Sequence, residues 1–175
     1  MQYQPNTDGG HRRPVEADGF FTGIQVRPVV LGVFVDYVGT YLGLYAYFFI
    51  YVAHQLSKQG PVSPEAISQY MQSADGIMSG MVIGILGTLA GGLVAGLKAG
   101  NRQIKHGAFV GLGSLIVSFI EQQLAGGESG STPEWIRAVS VLAVIPSGAV
   151  GGWLAGKVVG AFGGKVNSKN KPMPS

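Results

Sequence analysis

Four long apolar stretches separated by short polar turns set the pattern of this chain: residues 29–53, 77–97, 107–124 and 138–162. The first holds Asp36 as its only charge, and the second holds none. About 20 apolar residues in a helix cross the roughly 30 Å hydrocarbon core of a bilayer, so each stretch predicts a membrane-spanning helix. The third is the shortest, because only 107–120 is free of charge. At about 1.5 Å per residue that falls short of a core thickness, which places Glu121, Gln122 and Gln123 at the far interface or inside a bundle. Pro146 and Lys157 interrupt the fourth span, and Pro146 is expected to kink it.

The polar segments add detail. After the first span, Ser63, Pro64 and Glu65 read as a helix start with proline at its first position. Ile67, Tyr70, Met71 and Ala74 follow at i, i+3, i+4 and i+7, the spacing of a short amphipathic helix lying at the membrane interface. Thr132, Pro133 and Glu134 repeat the same start before the fourth span, with Trp135 as an interface anchor. Residues 1–27 form a polar segment without a signal-peptide pattern, and 163–175 a basic tail, leaving one membrane domain over 28–162. The expected fold is all-α: a polytopic membrane protein with a four-transmembrane-helix bundle and a short interfacial helix after span one.

Small residues then stand out. Gly80, Gly84, Thr88, Gly92, Gly96 and Gly100 recur every four residues in the second span, and Gly148, Gly152, Gly156 and Gly160 do so in the fourth. Such spacing predicts a bare face on each helix where a neighbouring backbone can approach, as membrane helices do when lipid supplies no hydrophobic drive. Two readings follow: packing of spans two and four on each other, or a face open to another protein's helix. An internal repeat is also visible, with Gly91, Gly92, Ala95, Gly96 and Gly100 matching Gly151, Gly152, Ala155, Gly156 and Gly160 at an offset of sixty.

Composition changes the picture little. Only 12% of the 175 residues are charged, about half the share usual in soluble domains. The net charge of +3 need not mean nucleic acid, because ten of the twelve Lys and Arg lie in the N-terminal segment, the 98–106 turn or the C-terminal region. By the positive-inside rule that distribution puts both termini in the cytoplasm. There is no cysteine, hence no thiolate chemistry.

Chemistry concentrates at Asp36, about 10 Å inside the first span by residue count. An ionisable group at that depth is costly and is by default a functional hypothesis. Gly32, Asp36, Gly39, Thr40 and Gly43 share a face, and counting the same depth along the other spans reaches Thr88, Ser114 and the 148–152 region; Lys157 approaches from nearer the surface. The carboxyl is either a proton or cation site with Thr40, Thr88 and Ser114 as polar lining, or a structural group fixing helix register. His54 and His106 fall at opposite ends of their spans and cannot share a metal, although His54 could meet Glu121. No hydrolase, metalloprotease, EF-hand or nucleotide-loop motif is present. The sequence therefore predicts no catalytic residue, no metal and no cofactor.

On Gly32-x-x-x-Asp36, the GGLVAGLKAG run with HGAFVG after it, Pro146 and GGWLAGK, the chain resembles uncharacterised bacterial four-span, glycine-rich integral membrane proteins. The resemblance implies a bacterial inner-membrane location and no established activity. The expected role is a non-catalytic structural or accessory subunit, embedded in the lipid bilayer and packing with other membrane subunits or its own copies. The alternative is a small transporter or channel subunit using Asp36.

Overall fold

The computed structural model describes residues 21–58, 60–124 and 134–167, and these residues are all helical apart from short turns. Helix α1 (Val26–Tyr47) continues through a π-helical turn (Phe48–Val52) into α2 (Ala53–Ser57); α3 (Pro64–Met71), α4 (Ala74–Ala99), α5 (Gln103–Leu124) and α6 (Glu134–Asn167) follow. Four of the helical runs, 26–57, 74–99, 103–124 and 134–161, are long and apolar enough to cross a membrane. Each overlaps one of the expected spans and extends it by a turn or so. The expected start at Thr132 and Pro133 and the tail beyond 167 lie outside the described residues.

Local chemistry explains the boundaries. Ser63 caps α3 by accepting the Ala66 N–H at 3.2 Å, and Ser73 caps α4 by accepting that of Gly76 at 3.2 Å; such caps satisfy amide donors that a helix start leaves open. The first turn of α3 also holds the Glu65 carboxyl below its usual range, through its own backbone N–H and then the Ser63 hydroxyl. Gly100 ends α4 in the left-handed conformation, φ 70°, which only glycine adopts without cost. Helix α6 runs unbroken through Pro146, where Ser147 Oγ donates to the Ala143 carbonyl at 2.6 Å.

Helix α1 packs on α4, α5 on α6, and α4 on α6, while α5 also touches α1 and α4. Backbones meet at glycines. A Cβ on Gly92 would overlap the Gly148 carbonyl, and one on Gly96 would stand 2.6 Å from Ala155 Cβ. Gly107 and Gly111 of α5 press in the same way on Gly148 and on Val144 and Ile145 of α6.

The expected single glycine face is corrected by the packing. With 3.6 residues per turn, a strict four-residue repeat drifts about 40° around the helix at each step. The α4 series therefore winds from one neighbour to the next: Gly80 and Gly84 border cavities beside α1, Thr88 reaches Asp36, and Gly92 and Gly96 press on α6. Gly100 caps the helix, and a Cβ there would meet no described atom within 4 Å. In α6, Gly148 and Gly152 meet α5, Gly156 has only Gln103 Oε1 at 3.9 Å, and Gly160 faces open space. The closest α1–α4 approach is made instead by Gly32, Gly87 and Gly91.

Candidate functional site

Asp36 stands ten residues into α1, about 15 Å along its axis. Its exposure is 4%, and those of Thr88 on α4 and Ser114 on α5 are 3% and 6%, so three helices bury polar side chains at one point. Thr40, one turn further along α1, donates to Asp36 Oδ1 at 3.3 Å. Thr88 Oγ1 and Ser114 Oγ donate to Oδ2 at 2.9 and 2.5 Å. Glycine makes the meeting possible. A Cβ at Gly87 would overlap Thr40 Oγ1 and lie 2.8 Å from Asp36 Oδ1, and one at Gly91 would lie 3.0 Å from Asp36 Cβ. Any larger residue there would push α4 away and take Thr88 out of reach.

A cavity of about 230 Å³ adjoins the carboxyl, room for several waters. It runs toward the α1 C-terminal half and the α5 C-terminus, where exposed Glu121 forms part of its lining. Ser118 Oγ and Tyr37 Oη are 3.2 Å apart, and Tyr37 donates to Glu121 Oε2 at 3.4 Å, while Tyr41 donates to Oε1 at 3.5 Å. In the other direction the path is shut. Beside Gly32, one turn before Asp36, stand Val110 and Ala95, both at 0% exposure. The carboxyl is thus the blind end of a polar inlet.

Of the residues singled out from the sequence, Asp36, Thr40, Thr88 and Ser114 come together, and Lys157 does not: its ammonium lies 5.4 Å from the Trp153 ring centre on the exposed side of α6. His54 is exposed, and the Glu121 carboxylate is bonded by tyrosines rather than by it. His106 is fully buried, with Nε2 accepting the Gln25 N–H at 3.0 Å and Nδ1 3.1 Å from the Arg102 carbonyl. His11 lies outside the described residues. Tyr37, Ser118 and Glu121 were not expected at the site. Their signal is present: Ser114, Ser118 and Glu121 fall at i, i+4 and i+7, one face of α5.

A second cavity of about 290 Å³ shares the Tyr41 and Leu44 wall and lies among the aromatic residues of the π-helical turn, with Ile67 and Met71 of α3 at its edge. No protein-family model, curated protein or solved structure matches the chain. Among the described residues, no three His, Cys, Asp or Glu side chains gather as metal ligands would. The arrangement around Asp36 suits the acceptance of a proton or small cation from the inlet, with fixed hydroxyl dipoles offsetting the cost of charge inside the bundle.

Proposed function

We propose that this chain is a non-catalytic multi-pass protein of the bacterial inner membrane, with both termini in the cytoplasm, that binds a proton or small cation at Asp36 as part of a transporter or channel. One observation carries the reading: a buried carboxyl held by three hydroxyls at the blind end of a polar inlet whose other end is the exposed Glu121. A carboxyl serving only to fix helix register has no need of an inlet. The dry contact beneath Asp36 fits a site open to one side at a time, the arrangement alternating access requires.

The test is ion movement in liposomes. Wild-type protein should dissipate an imposed proton or cation gradient, and Asp36→Asn, of unchanged helix content and elution volume, should lower that rate at least tenfold. Equal rates would remove the proposal. The second reading, an accessory subunit, would then stand in its place; it is favoured by Gly39 and Gly160, exposed glycines with no described atom within 4 Å of where a Cβ would stand, which leave room for a partner helix or a second copy.

A further inference from the structure

Resting on that assignment of Asp36 as a cation site, we infer that the cation is a proton, and that the Thr88 hydroxyl turns between two acceptors to accommodate it. Thr88 has one hydroxyl hydrogen and two acceptors within reach: Asp36 Oδ2 at 2.9 Å and the Gly84 carbonyl, one turn back on α4, at 3.1 Å. With Asp36 ionised, Thr88 and Ser114 both donate to Oδ2, and Thr40 donates to Oδ1. When a proton binds, an O–H bond forms at Oδ2 and points to Thr88 Oγ1. The Thr88 hydrogen then turns to the Gly84 carbonyl. Ser114 still donates to the remaining lone pair of Oδ2, and Thr40 to Oδ1. The side-chain charge goes from −1 to zero, and nothing else is consumed or released.

Both states are therefore fully hydrogen-bonded, and one hydroxyl rotation separates them. This matters because a buried polar group left without a partner destabilises the state that holds it; a site that satisfied only one state would resist loading or release. The contacts fit a proton better than a metal ion. Thr40 and Ser114 donate to the carboxyl and to no other described group, so they turn hydrogens toward the site, whereas a bound metal ion requires several oxygens to direct lone pairs at it. The titratable groups facing the site are Tyr37 and Tyr41 of α1 and Glu121 of α5; α4 and α6 bring none among the described residues. Glu121, bonded to both tyrosines, is placed to pass protons inward.

Infrared difference spectra of the full chain in liposomes, recorded across a pH change, read the site directly. A carboxylic-acid carbonyl band should appear on acidification, shift in D2O and vanish in Asp36→Asn. Thr88→Val, lacking both the donor and the acceptor, should displace the band and slow proton uptake at least tenfold, whereas Thr88→Ser should keep band and rate within about twofold of wild type. Replacing potassium by sodium should change neither. A band indifferent to Thr88→Val, or a loss in Thr88→Ser equal to that in Thr88→Val, overturns the hydroxyl relay. Sodium uptake that needs Asp36 and competes with protons overturns the proton while leaving the site intact. Absence of any Asp36-dependent signal for either ion removes the site itself.

Discussion

At the scale of single residues, the bundle sorts its glycines by what stands opposite each one. Gly92 faces the Gly148 carbonyl and Cα, which cannot yield as a flexible side chain would, whereas Gly39 faces nothing within 4 Å. Gly92→Ala must therefore part α4 from α6, and the expected loss is about 1–3 kcal/mol, the usual cost of overpacking. Gly39→Ala meets no obstacle and removes backbone freedom from the unfolded chain, so it should gain about 0.5–1 kcal/mol. Unfolding of both variants in detergent, followed by circular dichroism, checks the pair; losses of equal size would mean that contact distance does not decide the effect. Asp36, Thr88 and Ser114 are legible in the sequence because equal depth along neighbouring spans brings polar residues level. Gly87 and Gly91 are hidden by the more regular four-residue series beside them, and only the drift of the true helical period reveals that they face α1. Glu121 is hidden for another reason: a charge near a span end reads equally well as an interface residue, and only the Tyr37 and Tyr41 bonds tie this exposed carboxylate to the inlet.

At the scale of elements, α3 shows how a short helix is fastened beside a longer one. Its amphipathic spacing and its Ser63–Pro64–Glu65 start are plain in the sequence, but its fastening is not. Tyr70 meets the Tyr47 hydroxyl at 2.5 Å, and Ser79 Oγ donates to the same Tyr47 oxygen at 2.9 Å, so three hydroxyls join α3, α1 and α4. The π-helical turn that follows Tyr47 leaves no mark in the hydrophobic pattern, because it alters the helix period within an already apolar run. Burial, then the Tyr47 hydrogen bond, pushes the Tyr70 hydroxyl up to about 12 from the ordinary 10.0. The neutral phenol is thus favoured in the docked helix. A raised value means that this contribution is complete below pH 10 and is lost as pH climbs toward 12. Amide hydrogen exchange should accordingly show α3 loosening across that alkaline window before the four long helices do, with Tyr70→Phe removing the dependence. An α3 that stays protected to the same pH as α4 would argue against the fastening.

At the scale of the whole molecule, two helix pairs are built on one plan, and among the described residues only the α1–α4 pair buries a carboxyl. Gly32 of α1 lies on Gly91 of α4, and Gly107 of α5 lies on Gly148 and Gly152 of α6. Four residues after Gly32 and Gly107 come Asp36 in the first pair and Gly111 in the second, and at the offset of sixty Thr88 is matched by Gly148. Where one pair places a carboxyl and a hydroxyl, the other places bare backbone that presses shut. Under the proposed function, the direction from which a cation would reach Asp36 depends on which side of the membrane the Glu121 end of the bundle faces. The α2 end of the first span and the α5 C-terminus lie at the same end, since α1 and α5 each run from the end where the Gln25 N–H meets His106. The α4–α5 turn, with Lys98, Arg102 and Lys105, lies at the opposite end, and the positive-inside rule predicts a cytoplasmic location for it. The chain has no cysteine of its own, so a single introduced thiol reports its side without ambiguity. A membrane-impermeant maleimide applied to intact cells should label Ser57→Cys and spare Asn101→Cys, with the order reversed in inverted vesicles. Labelling of both from one side would mean that α4 does not cross; the opposite order would turn the inlet toward the cytoplasm and make Asp36 a site loaded from within.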